Sequence, residues 1–306
     1  MKRVLLTGAS GFLGRHCLQA LLTRSYEVHA VSSRIHTSAA LPEVHWHRAD
    51  LLDREQISSL LAEVKPTHLL HSAWYAVSGK YWTAPENFQW VEAGKHLLNA
   101  FADQGGQRVI GVGSCAEYDW RDGHCSELTT PLNPATTYGA CKHAFQLMLS
   151  AFSKHAKLSA AWGRVFFLYG PHESQERLVA STIRSILLEE PARCSHGQQI
   201  RDFLYVQDAA DALVALLDSD VLGPVNIASG LPITVLEVVQ KIAEQMERLD
   251  LVQRGALPAT ENEPSLLVAD VARLRDEVGW SPQYDLAGGL AATINWWRLQ
   301  KDGTSK

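Results

Sequence analysis

The chain has 306 residues, of which 46% are hydrophobic and 20% are charged, the proportions of a globular protein with a large core. The formal net charge is −5 at pH 7 with both signs interspersed, so no basic stripe is present to neutralise a nucleic-acid backbone. No apolar run approaches the roughly 20 residues of a membrane-spanning helix. The five cysteines lack the paired short spacings of a zinc site or a disulfide framework. These features predict a cytoplasmic protein without a membrane or nucleic-acid partner and without a metal site.

Apolar runs alternate with amphipathic stretches from the first residue onward, the pattern of βαβ units in a parallel sheet. A helix is expected before the strand His68–Ser72 and another before the strand Arg108–Val112. The predicted fold is α/β, a doubly wound, Rossmann-like parallel sheet. The predicted strands of this half are Arg3–Thr7, Glu27–Ser32, Val44–Arg48, His68–Ser72, Arg108–Val112 and Ala160–Leu168. The clearest predicted helices are Phe12–Thr23, Glu86–Ala102 and Thr136–His155.

The second half of the chain is less regular and predicts a smaller C-terminal substrate lobe. We expect residues 1–168 to form the dinucleotide-binding domain and residues 169–306 to form mainly the substrate lobe, with some segments returning to the first domain. The polar tail Lys301–Lys306 is expected to fray. The elements predicted here are helices near Leu178–Glu189, Asp208–Asp218 and Thr234–Glu247, and short strands near Phe203 and Val225.

A glycine-rich run lies directly between the first predicted strand and the first predicted helix. It reads Gly8-Ala9-Ser10-Gly11-Phe12-Leu13-Gly14. Its glycines permit a tight turn and let backbone N–H groups approach a pyrophosphate, while the helix N-terminus adds positive potential. The run therefore predicts dinucleotide binding, the alternative being a structural glycine turn.

The end of the second predicted strand bears on the choice between NAD and NADP. An acidic residue there would hydrogen-bond the adenine ribose of NAD, but the segment reads Val31-Ser32-Ser33-Arg34. Ser33 and Arg34 would instead accommodate and pair with a 2′-phosphate, since a guanidinium matches phosphate geometry. The segment predicts NADP(H) as the preferred cofactor. NAD(H) remains the alternative if Arg34 is an ordinary solvated arginine.

Asp50 and Leu51 follow the third predicted strand. A carboxylate at this place can accept a hydrogen bond from the adenine amine of the cofactor. The competing role for Asp50 is to cap the helix that starts near Asp53.

Tyr138 and Lys142 stand four residues apart and therefore share one face of a predicted helix. A nearby cation favours tyrosinate and is expected to lower the phenol pKa from about 10, so that Tyr138 can exchange a proton with a carbonyl or hydroxyl. Lys142 can also hold the nicotinamide ribose. Ser114 ends a parallel strand, where open α/β sheets bind ligands, and would hydrogen-bond the substrate oxygen. The three residues predict a catalytic site rather than a core tyrosine and a surface lysine.

The chain resembles the extended short-chain dehydrogenase/reductase family, the NAD-dependent epimerase/dehydratase group that acts on sugar nucleotides. The resemblance covers nearly the whole length. Beyond the glycine run and the catalytic residues it rests on Arg48-Ala49-Asp50-Leu51, His71-Ser72-Ala73, Gly113 to Tyr118, Tyr169-Gly170-Pro171, Arg201-Asp202-Phe203 and Asn226 to Gly230. The cofactor contacts assigned with it, beside those named above, are Ser10, Phe12, Leu13, Ser72, Ala73 and Phe166.

The same resemblance implies substrate contacts in the second half. Arg201 would contact the nucleotide diphosphate, the alternative being an ion pair with Asp202 or Asp208. Arg177 would begin a helix in the nucleotide pocket. The aromatic loop from Trp74 to Trp82, which includes Tyr75, would stack on the sugar or belong to the core.

The reaction is narrowed by the two residues that follow Ser114. Family members that dehydrate sugars carry an Asp-Glu pair there, whereas this chain has Cys115 and Ala116, and Cys115 is interpreted as a packed small residue. Two hydride-transfer reactions remain: NADP(H)-dependent reduction of a 4-keto (deoxy)sugar nucleotide with Tyr138 as proton donor, and 4-epimerisation at the same site. Arg34 favours the reductase, because an epimerase regenerates its cofactor each cycle and gains nothing from choosing NADP. An NADP(H)-binding sensor without turnover is the non-enzymatic alternative.

Two residues depart from the family pattern. Trp90 and Phe167 stand where asparagines are usual, so the pocket is expected to be unusual.

The helices predicted at Glu86–Ala102 and Thr136–His155 resemble those of a four-helix dimer interface, and their broad apolar faces are expected to be covered by a partner. We expect a homodimer.

Overall fold

The structure, a computed structural model, describes residues 2–34, 41–258 and 263–303. Strands and helices alternate through the first half, as the apolar and amphipathic stretches predict. The strands are β1 Arg3–Thr7, β2 Glu27–Ser32, β3 His45–Arg48, β4 His68–His71, β5 Arg108–Ser114, β6 His124–Cys125, β7 Ser159–Val165, β8 Phe167–Tyr169, β9 Ala192–Cys194, β10 Ile200–Tyr205, β11 Gly223–Ile227, β12 Pro232–Thr234, β13 Val252–Arg254 and β14 Leu266–Ala269. The helices are α1 Gly14–Thr23, α2 Arg54–Val64, α3 Glu86–Asp103, α4 Thr137–Ala156, α5 Leu178–Leu187, α6 Val206–Asp218, α7 Val235–Gln245 and α8 Leu286–Gly303.

The large sheet has seven strands in the order β11-β7-β5-β4-β1-β2-β3, each parallel to its neighbours. The chain runs outward from β1 to β3 and then returns to β4, so the direction of winding reverses between β1 and β4. The predicted doubly wound, Rossmann-like sheet is confirmed. Open α/β sheets bind ligands at such a reversal, outside the carboxyl ends of the strands.

Helices cover both faces of this sheet, because its central strands carry apolar side chains on both sides. Successive residues of a strand point to opposite faces. Val4 and Leu6 of β1 pack with α1 and α6 on one face, whereas Leu5 packs with α2, α3 and α4 on the other. The sheet is therefore held rigidly between two layers, which fixes the ends of its strands.

A smaller sheet in the order β12-β10-β14-β6, with β8 also paired to β10, forms the basis of the second lobe. Helices α5, α7 and α8 pack around it in an apolar cluster of their own. The prediction of one strand over Ala160–Leu168 is wrong, because the chain leaves the large sheet at Phe166 and enters the small sheet as β8. Both strands are apolar, so periodicity alone does not show the change of sheet.

The chain passes between the two sheets more than once. Strand β11 follows the small-sheet strand β10 in sequence, yet it pairs with β7 in the large sheet. Strand β6 precedes β7 in sequence and pairs with β14 in the small sheet. The division of the chain at residue 168 stays a prediction.

Helix α8 is the longest element that the sequence analysis missed. Leu290, Ile294 and Trp297 are buried on it at helical spacing. Its first turns contain two adjacent glycines, which are poor helix formers. A Cβ atom at Gly289 would lie 2.2 Å from the Tyr169 hydroxyl, so close packing requires glycine there. Residues 301–303 belong to this helix rather than to a frayed tail, and residues 304–306 lie outside the described residues.

Three further observations complete the fold. Helix α6 begins at Val206, and Asp208 in its first turn accepts hydrogen bonds from the backbone N–H groups of Gln283 and Tyr284. All five cysteines belong to the described residues and are buried free thiols. Within the described ranges, no helix combines the length and the apolar character that crossing a membrane requires.

Candidate active site

A cavity of about 990 Å³ opens at the carboxyl ends of β1, β4 and β5. It lies at the reversal point of the large sheet and extends to residues of the second lobe, among them Arg177 and Arg201. With the exception of Arg34, every residue that the sequence analysis assigned to cofactor, substrate or catalysis lines this cavity. The topology therefore gathers in one place residues that are far apart in the chain.

The glycine-rich loop after β1 combines close packing with an uncapped helix start. Gly8 has a φ of +68°, and a Cβ atom there would lie 2.8 Å from the Ala73 nitrogen. A Cβ atom at Gly14 would lie 2.1 Å from the Gly8 oxygen, whereas the nearest atom to one at Gly11 is 3.1 Å away. No side chain caps the first turn of α1, so the positive end of the helix faces the cavity, although the Arg15 and His16 N–H groups already bond the Gly11 and Leu13 carbonyls. The loop thus fits a pyrophosphate.

Hydroxyl groups surround the end of β2 beside this loop. The Ser10 and Ser32 hydroxyls are 3.2 Å apart, and the Arg34 backbone N–H donates to the Ser32 Oγ at 3.2 Å. Ser33 lines the cavity, whereas Arg34 is exposed and does not line it. The pairing of Arg34 with a 2′-phosphate therefore stays a prediction.

The two aspartates after β3 have different roles. The Asp53 carboxylate caps α2 by accepting the backbone N–H groups of Glu55 and Gln56 at 2.9 and 3.2 Å. Asp50 lies on the cavity wall, and its carboxylate accepts the Leu52 N–H at 3.0 Å. The alternative of Asp50 as the helix cap is wrong, since Asp53 fills that position.

Ser114 and Tyr138 meet at one point of the cavity. Ser114 is the last residue of β5, and Tyr138 lies in the first turn of α4, where Thr136 caps the helix through the Gly139 N–H at 3.1 Å. The Tyr138 ring contacts Tyr81 edge-on, with ring centroids 4.9 Å apart. The Ser114 side chain is near enough to the Tyr138 hydroxyl to favour the ionised phenol. A serine and a tyrosine hydroxyl are thus presented together to a bound oxygen.

Lys142 is buried on the same face of α4, with its ammonium 5.9 Å from the ring centroid of Tyr138. Its ammonium donates to the Val112 carbonyl at 2.7 Å and lies 4.0 Å from the ring centroid of Trp74. Burial lowers the pKa of Lys142 to about 7. Burial also raises the pKa of Tyr138 above its usual value, with the nearby Tyr81 adding to the rise and the Ser114 side chain opposing it. The prediction of a lowered tyrosine pKa is wrong here, because burial of the phenol raises its pKa.

Glu117 supports the site from within the core. Its carboxylate is fully buried and accepts hydrogen bonds from the Ser114 backbone N–H at 2.7 Å and from Arg164 Nε at 2.8 Å. It holds the end of β5 in place and does not line the cavity. Cys115 is buried, burial raises the pKa of its thiol, and it also lines the cavity, so its interpretation as a packed residue stays a prediction.

Tryptophan rings form much of the cavity wall near Tyr138. Trp74 stacks on Trp90 with ring centroids 6.3 Å apart, and Trp82 meets Trp120 edge-on at 6.1 Å. The indole N–H groups of Trp74 and Trp120 both donate to protein oxygens. Tyr81 of the aromatic loop is buried, whereas the two loop tryptophans and Tyr75 are half-buried on the cavity. Stacking of the loop on a sugar stays a prediction.

The arginine expected at the diphosphate is already paired. Arg201 is 3% exposed, and its Nη2 atom donates to the Glu263 carboxylate at 2.7 Å. The alternative prediction, an ion pair of Arg201 with Asp202 or Asp208, is wrong. Asp202 accepts backbone N–H groups from Ser229, and from residues 230 and 269, while Asp208 binds residues 283 and 284. The contact of Arg201 with a diphosphate stays a prediction.

Glu173 is a cavity residue that the sequence analysis missed. It is 6% exposed, and its Oε2 atom has no hydrogen-bond partner among the described residues. Burial raises its pKa to about 8, and the charge of Arg177 opposes the rise. Arg177 directly precedes α5, as predicted. A single glutamate in a loop usually faces water, so only the packing around Glu173 distinguishes it.

Comparison with known proteins agrees with this geometry. The family model described as "NAD dependent epimerase/dehydratase family" matches residues 4–228. The chain is similar to UDP-glucuronic acid decarboxylase 1 of Danio rerio, with 26% identity over 307 residues that cover 96% of this chain and 72% of that protein. It is 25% identical to UDP-glucose 4-epimerase of Rhizobium meliloti (strain 1021), with 98% of each covered. The crystal structure of Thermus thermophilus UDP-glucose 4-epimerase in complex with NAD superposes with a TM-score of 0.85 and 26% identity, covering 97% of this chain and 99% of that one.

Proposed function

The chain belongs to the NAD dependent epimerase/dehydratase family, extended short-chain dehydrogenase/reductase enzymes that modify sugar nucleotides, and from this premise we propose that it reduces a 4-keto (deoxy)sugar nucleotide with NADP(H). The observation that carries the proposal is the end of β2, where Ser32, Ser33 and Arg34 replace the carboxylate that would bind an NAD ribose. A net reductase draws on the reduced NADPH pool, so this cofactor choice favours reduction.

The residues around the cavity suit such a dinucleotide. The uncapped start of α1 and the open surface at Gly11 accept the pyrophosphate, and Asp50 is free of a capping role and available to the adenine amine. Ser72 and Ala73 line the path toward Ser114. When bound, NADP(H) supplies the hydride, and all other work falls to protein side chains.

Tyr138 donates the proton to the sugar oxygen at C4, and Ser114 hydrogen-bonds the same oxygen as negative charge develops on it. The raised pKa of Tyr138 keeps its phenol protonated at neutral pH. A protonated phenol is the form that a reduction requires at its start, whereas an epimerase must first accept a proton from a hydroxyl. A phenol that is protonated at the start is consistent with the proposed reduction.

The neighbourhood of Ser114 does not supply the groups for dehydration. Cys115 and Ala116 occupy the two positions after it, and the nearest carboxylate in sequence, Glu117, is held by Arg164 in the core. Sugar 4-epimerisation remains the second candidate, because it uses the same Ser114, Tyr138 and Lys142 and because 4-epimerases are among the similar proteins.

The test has two arms: the protein is incubated with NADPH and a panel of 4-keto sugar nucleotides, and separately with NADP⁺ and the matching 4-hydroxyl sugar nucleotides, while NADPH absorbance and products are recorded. A reductase consumes NADPH in proportion to product. A 4-epimerase interconverts 4-hydroxyl epimers without net change in NADPH, and a sensor binds NADPH without turnover. Epimer formation without NADPH loss, or binding alone, would overturn the proposed reduction.

A further inference from the structure

A cluster of histidines lies at the edge of the large sheet, remote from the cavity. Glu27 and His29 belong to β2, and His45 and His47 belong to β3. His29 and His45 are direct neighbours in the parallel register of the two strands. Because residues two apart on a strand point to the same face, all four side chains are presented together.

The side chains of this cluster are already within reach of one another. The His29 Nε2 atom lies 3.1 Å from a Glu27 carboxylate oxygen, and its Nδ1 atom lies 2.8 Å from His47 Nε2. The His29 ring stacks on that of His45 with centroids 4.9 Å apart. One ligand atom from each of Glu27, His29 and His45 falls within 4.8 Å of the others. Two ligand atoms of a tetrahedral zinc ion lie roughly 3.3 Å apart. Small rotations of the three side chains would bring their ligand atoms to that spacing.

The chemical character of the cluster is that of a transition-metal site. Imidazole nitrogens prefer zinc, nickel and copper, whereas magnesium and calcium require mainly oxygen ligands. The neutral imidazole is the form that binds metal. Two charges border the cluster: Arg3 Nε lies 3.0 Å from the Glu27 carboxylate, and the Glu63 carboxylate lies 3.6 Å from His47 Nδ1.

We propose that Glu27, His29 and His45 bind one divalent transition-metal ion of the zinc class, while His47 holds the other ring nitrogen of His29. The ion links the edge strand β3 to β2 and stabilises the sheet, since any ligand that binds the folded state alone raises its stability. The site is independent of the proposed reduction, because it lies at the amino-terminal ends of these strands and the cavity lies at the carboxyl ends. The sequence analysis considered cysteine spacing and overlooked the histidines, whose E-x-H and H-x-H spacings bring ligands together only on paired strands.

The experiment is calorimetric titration of the full, tag-free chain with Zn²⁺ after removal of metal by a chelator, with Mg²⁺ as the comparison ion. We expect saturable binding of one Zn²⁺ per chain and no Mg²⁺ binding. His45→Ala removes an exposed ligand and should weaken Zn²⁺ binding by about tenfold or more. His155→Ala removes an exposed histidine on α4 and should leave the affinity unchanged.

Thermal unfolding separates a lost ligand from a damaged fold. Without metal, His45→Ala should melt with the wild type, and Zn²⁺ should raise the melting temperature of the wild type more than that of the variant. Absence of saturable Zn²⁺ binding, or equal affinity of the wild type and His45→Ala, would overturn the proposal. The NADPH assay is not needed for any of these readings, so the two proposals fail separately.

Discussion

The phenol of Tyr138 is the group on which the proposed reduction depends. Tyr138→Phe removes one oxygen without changing the shape of the side chain, so folding and NADPH affinity should be retained. Turnover should fall roughly 10²- to 10⁴-fold, the usual contribution of a positioned general acid. The measurement is NADPH binding by fluorescence together with single-turnover oxidation of NADPH by the best substrate of the panel. Turnover within a few-fold of wild type, with binding intact, would show that Tyr138 is not the acid.

Arg34 is the residue that decides the predicted cofactor preference. Its side chain is exposed beside a β2 terminus that offers hydroxyl groups and no carboxylate. Arg34→Ala should weaken NADPH binding by about 1.5–3 kcal/mol, the range for a charge-assisted hydrogen bond, and leave NADH binding nearly unchanged.

The matched control is Arg193→Ala, which removes an exposed arginine from β9 in the second lobe. Fluorescence titrations with both cofactors should show no change for this control. Equal losses of NADPH and NADH affinity in Arg34→Ala would contradict pairing with a 2′-phosphate.

Helices α3 and α4 are the elements on which the expected homodimer depends. They pack side by side and expose Phe88 and Leu147, which are 64% and 54% accessible. Such apolar side chains on adjacent helices favour burial against a second copy. We expect a dimeric mass by light scattering at micromolar protein, and Leu147→Glu should shift it to the monomer because a charge would be buried in the interface.

Leu188→Glu provides the control at the element scale. Leu188 directly follows α5 and is 53% exposed, nearly the same as Leu147, so the same charge is introduced at equal exposure. This variant should remain dimeric. A monomeric wild type, or a dimer that survives in Leu147→Glu, would exclude this interface.

For the whole molecule, the buried Glu173 ties stability to pH. Its pKa in the folded protein is raised to about 8 from an ordinary value of 4.5. Above pH 4.5 the unfolded chain releases this proton while the folded chain retains it, so the free energy of unfolding falls between pH 4.5 and about 8. Glu173→Gln removes this loss and should be more stable than wild type by roughly 1–3 kcal/mol at alkaline pH, with little difference at acid pH.

Denaturant unfolding at acid and alkaline pH measures this difference. Glu176→Gln makes the same chemical change three residues later at an exposed side chain and should have little effect at either pH. A Glu173→Gln variant that follows the wild type at both ends of the pH range would show that the carboxyl is not held protonated.

By itself the sequence determined the doubly wound sheet and most of the residues that line its cavity. The alternation of apolar runs is a local property of a strand or helix, and the glycine run and the Tyr138–Lys142 spacing are read within a few residues. These elements appear in the structure with ends shifted by a few residues. Their placement at the carboxyl ends of parallel strands then follows from the connectivity of βαβ units.

Only the tertiary structure decided what each side chain touches. Lys142 turns to the Val112 carbonyl, Glu263 reaches Arg201 from 62 residues away, and Glu173 loses its contact with water through packing. The break at Phe166 and the histidine cluster likewise depend on which strands become neighbours. Ion pairing, desolvation and strand register are set by residues distant in the chain, and for that reason no local pattern could predict them.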